Sequence, residues 1–391
     1  MHARRPSAPL PPLAEVLPAM RVVAIPTRTR FRGIAVREAA ILDAPLGASE
    51  FSPFPEYDDA EAAAWLAAAL DFGWVQQPPI LRDRIEVNAT VPAVPAAEVP
   101  AVLARFPGCR AAKVKVAEPG QALADDVARV RAVREAMGDD ALVRIDANGG
   151  WSIDEAEEAL RALAAFELDY AEQPCASTEE LVEVRRRLGA AGSPLPEAGE
   201  RRDAGTSPDP AAAIGSATAG SEERRAPLVR IAADESVRKA ADPLAVARAG
   251  AADLLVVKAQ PLGGIRRALG IVADAGLPVV VSSALDTSAG IAMGLHLAAA
   301  LPDGALAGAC GLGTVALLEG DVAVDPLVPV DGGIAVRRPR LDPELLERYA
   351  AEPVRERWWR DRVTRCYAGL ADARAGRTED GAPIPRDEDV R

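Results

Sequence analysis

Six times along this chain an apolar, β-branched run ends in a polar or charged residue and is followed by a helical stretch. Val114-Lys115 precedes a helix expected over 122–137. Leu142-Val143-Arg144-Ile145-Asp146 precedes one over 152–166, where Ser152 and Glu155 have the spacing of a capping box. The run Leu168 to Glu172 leads into 178–188, and Ile231 to Asp234 leads into 243–249. Val256-Val257-Lys258 is followed by 264–275, and Val279 to Ser283 by 289–300. The run-end residues fall about 25 positions apart, and one more step reaches Gly308 to Gly311. Strand, helix, strand at this period means right-handed parallel βα units. So many in succession favour an α/β fold of the closed (β/α)8 barrel type, with an open doubly wound sheet as the alternative. No G-x-G-x-x-G follows the first run, which counts against the open sheet.

The interval from Glu172 to Asp234 breaks the rhythm. Its surplus coincides with 189–226, rich in Gly, Ala, Ser, Pro, Glu and Arg and almost without large apolar residues. Such a segment buries too little to offset its ordering entropy, so it reads as a disordered insert between a barrel helix and the next strand. Residues 1–84 read as an α+β capping domain, with strands over 20–25 and 33–42 and a helix over 60–71. The barrel is expected over 85–314, its first strand over 85–91. Residues 315–391 then complete the cap and barrel, with strands over 322–329 and 332–336, a helix over 343–350 and a frayed tail over 375–391.

The 391 residues carry a net charge of −13, which argues against nucleic acid as a partner. No apolar run is long enough to span a membrane, and prolines rather than an apolar segment follow the basic N-terminus. Cys109, Cys175, Cys310 and Cys366 lie far apart with no C-x-x-C, as expected of reduced thiols in a cytoplasmic protein. Nothing in the sequence sets an oligomeric state.

Only four of the 45 cationic residues are lysines: Lys113, Lys115, Lys239 and Lys258. Arginine does not deprotonate in a protein, whereas a lysine beside a cation or a desolvated wall becomes a base. Strand alternation puts Lys113 and Lys115 on one face, Arg144, Asp146 and Asn148 on one face, and Tyr170 with Glu172. In a barrel these groups, with Asp234 and Lys258, converge at the C-terminal mouth. Any one carboxylate there can serve simply as a helix cap. Three from successive strands repel one another unless a cation lies between them. With only His2 and His296 in the chain, the ligands are hard oxygens, which favours Mg²⁺ or Mn²⁺. Lys239 has no periodic partner and reads as a surface charge.

Lys113-x-Lys115, Asp146-Ala-Asn-Gly-Gly-Trp151, Glu172-Gln-Pro174, Asp234-Glu-Ser236 and Lys258 together resemble the enolase superfamily, in its muconate-lactonizing subgroup. The resemblance covers roughly residues 20–345. Arg28-Thr-Arg-Phe-Arg-Gly33, Glu50-Phe-Ser-Pro-Phe-Pro-Glu-Tyr-Asp-Asp59, Val87-Asn-Ala-Thr-Val91 and Ser282-Ser-Ala-Leu-Asp-Thr-Ser288 extend it to one dehydratase family of that subgroup. The resemblance implies metal-dependent syn-dehydration of 2-succinyl-6-hydroxy-2,4-cyclohexadiene-1-carboxylate to 2-succinylbenzoate in menaquinone biosynthesis. Lys115 would be the base and then the acid, and Lys258 the opposing cation. Asp146, Glu172 and Asp234 would bind Mg²⁺, with Asn148 and Glu235 behind them, and Lys113 would tune Lys115. Ser283 and Arg28 would face the dianionic carboxylate substrate, Arg28 from a capping loop. The same two lysines also serve N-succinylamino-acid racemases and cycloisomerases. From another class, a catalytically silent barrel acting as a binding protein would have lost some ligand or lysine, and none is missing.

Overall fold

The computed structural model describes residues 9–31, 33–189, 228–238 and 242–379. The cap begins with a three-stranded antiparallel sheet of β1 (Met20–Phe31), β2 (Ile34–Ala44) and β3 (Gly47–Phe51). The helix Asp59–Trp74 packs on it and starts where Asp58 Oδ1 accepts a hydrogen bond from the Glu61 amide at 2.7 Å. Satisfying such an otherwise orphaned donor is what fixes a helix start. The sequence reading omitted a second cap helix, Pro353–Glu379. Pro353 at its first position needs no backbone donor there. Trp359, Arg362, Val363 and Cys366 recur along one helical face and are buried against the cap. Trp359 meets Phe51 edge-on, with ring centroids 5.6 Å apart.

Beyond the cap, β4 (Arg84–Glu86) pairs antiparallel with β12 (Gly333–Ala335). Seven parallel strands follow in sequential neighbour order: β5 (Ala89–Val91), β6 (Ala111–Lys115), β7 (Leu142–Asp146), β8 (Leu168–Glu172), β9 (Ile231–Ala233), β10 (Leu254–Val257) and β11 (Val279–Val281). The eighth position is filled by 306–311 through isolated parallel bridges. Leu306 and Gly311 meet Val279 and Ser282 on one side, and Cys310 meets Val87 on the other. Backbone hydrogen bonds from Asn88 to Cys310 and from Gly311 to Val281 close the ring. The strands are buried on both faces, as a helix-wrapped parallel sheet requires. The fold is a modified (β/α) barrel with an α+β cap.

The structure corrects several boundaries. The expected first strand over 85–91 is two strands, because Ile85 turns away to pair with Ile334 while Ala89 pairs with Ala112. Residues 322–329 form no strand; Ala323 makes only a bridge to Leu341. Arg28 to Phe31, read as a loop, continues β1. Residues 375–379, read as frayed, belong to the last helix. The insert 190–226, Lys239 and the tail beyond 379 lie outside the described residues. No helix among the described residues is long and apolar enough to cross a membrane.

Candidate active site

Parallel register carries the side chains to one level. Lys115 pairs with Asp146, and Asp146 pairs with Glu172, across β6, β7 and β8. Asp234 directly follows β9, and Lys258 directly follows β10. The five predicted residues therefore meet at the C-terminal mouth, and all five are buried.

The lysines and carboxylates interleave. Lys113 Nζ donates to Glu172 Oε2 at 2.8 Å and lies 3.1 Å from Asp146 Oδ2. Lys115 Nζ donates to the same Asp146 oxygen at 2.6 Å and to Asn148 Oδ1 at 2.5 Å. Lys258 Nζ donates to Asp234 Oδ2. The Asn148 backbone amide donates to Asp146 Oδ1 at 3.1 Å, and Asn148 Nδ2 donates to Glu235 Oε1 at 3.3 Å.

Burial opposes ionisation of Asp146, but Lys115 and Lys113 outweigh it and hold the carboxyl well below its usual range. Burial likewise opposes ionisation of Asp234, and Lys258 and Arg238 override it. Glu172 goes the other way. Burial and the charge of Asp146 push it up to about 7, against Lys113. Burial disfavours the ammonium of Lys113, yet Glu172 and Asp146 hold its pKa well above the ordinary value.

Among the described residues no three His, Cys, Asp or Glu side chains stand grouped for metal binding. The Lys113 ammonium instead reaches both Asp146 and Glu172. The donor chemistry nevertheless fits a hard dication. Asp234 Oδ1 is buried and accepts no hydrogen bond, and Asp146 and Asp234 both raise Glu172. A buried, mutually repelling oxygen set is what a bound divalent cation relieves.

The pocket over this cluster is also lined by Gly311 and Thr314, from the glycine-containing stretch expected on the substrate side, and by Phe31, Thr90, Ser282 and Ala284, for which the sequence held no separate reason to pick them out. Phe31 is buried, and its ring centroid lies 5.4 Å from Lys115 Nζ. An apolar residue set among arginines at 28–32 was the available signal. Ser283 lines the pocket, donates to Gly311 O at 3.0 Å and shares a 2.8 Å hydrogen bond with Thr314. Arg28 is exposed and is not among the pocket's lining residues. Gln173, quoted only as part of a motif, braces the next strand end. Its Oε1 accepts from the Asp234 amide at 3.0 Å and its Nε2 donates to Ser236 Oγ at 2.7 Å. Four non-glycine residues near the mouth adopt left-handed backbone: Ala117, Asn148, Gln173 and Leu285, with φ of 58°, 48°, 40° and 64°. A larger cavity of about 670 Å³ lies elsewhere, lined by Leu103, Phe106, Cys109 and Met137 among others. It holds no lysine, so size does not mark the chemistry here.

Comparisons with known proteins agree with this geometry. The family pattern described as "Enolase N-terminal domain-like" matches residues 22–73, and "Enolase C-terminal domain-like" matches 96–200 and 210–340. The o-succinylbenzoate synthase of Mycobacterium tuberculosis is 51% identical over 362 residues, covering 92% of this chain and 97% of that protein. The o-succinylbenzoate synthase of Mycolicibacterium smegmatis is 52% identical over 360 residues, covering 92% and 98%. Among solved structures, a 2-chloromuconate cycloisomerase from Rhodococcus opacus superposes with a TM-score of 0.64 at 21% identity, over 85% of this chain and 98% of that one. The muconate lactonizing enzyme of Pseudomonas putida gives 0.62 at 17% identity, with the same coverage. At these identities the structural matches speak for the fold alone. The two enolase-type domains and the long, half-identical alignments place this chain in the o-succinylbenzoate synthase family of the enolase superfamily.

Proposed function

We propose that the protein is an o-succinylbenzoate synthase, a lyase that dehydrates 2-succinyl-6-hydroxy-2,4-cyclohexadiene-1-carboxylate to 2-succinylbenzoate in menaquinone biosynthesis, acting in the cytoplasm. The observation that carries the reading is the pair Lys115 and Lys258, buried on β6 and just after β10 with three carboxylates on the strands between them. Family membership brings with it a divalent cation, for which Mg²⁺ is the proposal and Mn²⁺ the alternative. Asp146, Glu172 and Asp234 would hold it, and when bound it supplies positive charge to the substrate carboxylate.

In this reading Lys115 removes the proton α to the ring carboxylate. Lys115 then returns a proton to the departing hydroxyl on the same face, which makes the elimination syn. Lys258 presents its ammonium from the opposite face to the negative charge that develops on the carboxylate. Asn148 fixes the Lys115 amine through the 2.5 Å contact. Lys113 stays charged and neutralises Glu172, in keeping with its raised pKa. Phe31 covers Lys115 and keeps water from it. Ser283 and Thr314 offer hydroxyls to the substrate's oxygens.

The test is incubation of purified protein and Mg²⁺ with the cyclohexadiene substrate, following the absorbance of the aromatic product. Rapid, protein-dependent aromatisation is expected. Absence of product, with racemisation of N-succinyl amino acids in the same preparation, would overturn the assignment.

A further inference from the structure

Arg238 is one of several buried cations outside the strand-end motifs. Arg238 lies at the end of a one-turn helix, Glu235–Arg238, that follows β9. Four residues are too few to hold a helix by their own hydrogen bonds, so side-chain contacts must set this turn. Its guanidinium is buried and touches three groups. Nε lies 3.3 Å from Asp234 Oδ1, Nη2 donates to Glu235 Oε1 at 2.6 Å, and Nη1 donates to Tyr57 Oη at 3.1 Å. Tyr57 belongs to the cap, between β3 and the helix Asp59–Trp74, where it packs edge-on against Phe54.

Two arms lead from this guanidinium to the two lysines. Along one, Asp234 gives its other oxygen to Lys258 Nζ. Along the second, Glu235 Oε1 also accepts from Asn148, whose amide oxygen holds Lys115 Nζ. We propose that Arg238 is a positioning residue that locks Asp234 and Glu235 in place, and through them Lys258 and Lys115, to the seated position of the cap. The proposal rests on the roles assigned above to those four residues. A planar fork can donate to Tyr57 and Glu235 while keeping its charge beside Asp234, whereas an ammonium on a flexible stem cannot hold all three contacts. The guanidinium also opposes a cation bound at Asp234 by like charge. Geometry is the larger effect, because without Arg238 the half-buried Glu235 and the buried Asp234 lose the shared neighbour that fixes their orientation.

The experiment compares the full-length protein with Arg238→Met, Arg238→Lys and Tyr57→Phe. The readouts are Mn²⁺ affinity by electron paramagnetic resonance titration, thermal melting, and kcat and KM. For Arg238→Met we expect Mn²⁺ binding weaker by about 10- to 100-fold, with kcat lowered by a similar factor. Arg238→Lys keeps the charge without the fork and falls between wild type and Arg238→Met. Tyr57→Phe keeps Mn²⁺ affinity and shows a raised KM. A merely structural role would lower the melting temperature and leave Mn²⁺ affinity and kcat within about twofold of wild type in folded Arg238→Met, against the tenfold or more expected of a residue behind a metal ligand. That result, or tighter Mn²⁺ binding, overturns the proposal. If Arg238→Met does not fold, Arg238→Lys decides by the same comparison. If wild type fails to aromatise the cyclohexadiene, the assigned reaction falls, while the Mn²⁺ comparison still decides the role of Arg238.

Discussion

Glu50 lies at the seam between cap and barrel and is fully buried. Its Oε2 accepts hydrogen bonds from the Thr287 amide at 3.1 Å, the Thr287 hydroxyl at 2.5 Å and the Gly290 amide at 3.0 Å, and its Oε1 accepts from Ser52 Oγ at 2.6 Å. The carboxyl therefore sits at the start of the helix Ser288–Ala300. Burial and the neighbouring charge of Asp286 nonetheless push its pKa up from 4.5 to about 7, against the pull of Arg37. A raised acid in the folded state binds a proton that the unfolded chain has already released. Stability is thus fully present below about pH 4.5, falls through the interval, and has lost its full share above pH 7. At about 1.4 kcal/mol per pKa unit, a rise of about 2.5 units corresponds to roughly 3.5 kcal/mol. The helix dipole favours the anion by about 2 kcal/mol at most, so burial wins.

Glu50→Gln tests this, since its amide oxygen can keep the Thr287 and Gly290 bonds and its amino group can donate to Ser52 Oγ. Denaturant unfolding at pH 5 and pH 8 should show a variant close to wild type at pH 5. At pH 8 it should be more stable than wild type by about 2–3 kcal/mol, with a flatter pH slope. A variant less stable than wild type at pH 8, with the pH slope unchanged, would show that Glu50 is ionised throughout and that the reasoning is wrong.

Replacing Lys115 by arginine keeps the charge but removes the base, so kcat should fall by at least about 10³-fold while the melting temperature and Mn²⁺ affinity stay near wild type. Turnover retained in that variant would remove Lys115 from its role. Chelation should abolish product formation, and added Mg²⁺ should restore it more fully than Ca²⁺, whose longer bonds suit the cluster less well; full activity in chelator would contradict the oxygen-ligand reading. Leu160, fully buried on the helix Ile153–Leu163, should cost about 2–5 kcal/mol as alanine, measured by denaturant unfolding. Ser152→Ala removes the acceptor for the Glu155 amide at the start of that helix and should cost about 1 kcal/mol.

The parts legible in the sequence were those governed by short-range periodicity. β-branched runs ending in Lys115, Asp146, Glu172, Asp234 and Lys258 announce parallel strands, and parallel register then brings their ends together without any further information. Arg238 escaped because its partners, Tyr57, Asp234 and Glu235, come from two domains, and its Val-Arg-Lys-Ala setting looks like any surface turn. Asn88 marks where one apparent strand becomes two, a choice made by the partner Gly333–Ala335 almost 250 residues away rather than by local propensity. The helix Pro353–Glu379 was hidden by its many arginines. Arg362 is wholly buried there, bonded to the Phe54 carbonyl at 3.2 Å and to that of Tyr57, so a charge that signals solvent by composition signals the opposite in place.

Leu285 at φ 64° is a conformation that costs a branched residue about 1–3 kcal/mol and persists only where neighbours over-determine it. The neighbour is Arg37 of the cap, whose Nε donates to Leu285 O at 3.1 Å while its guanidinium lies 4.6 Å from the centroid of the Phe54 ring. Ser283 and Ala284, just before Leu285, form part of the pocket wall. Cap and barrel are therefore not interchangeable modules. In a chimera that joins this barrel to a relative's cap, the rim over 282–290 would relax unless the donor cap supplied equivalents of both Arg37 and Glu50. Recombination of such enzymes should be planned with the crossover placed so that β2, β3 and the 282–290 rim are inherited together.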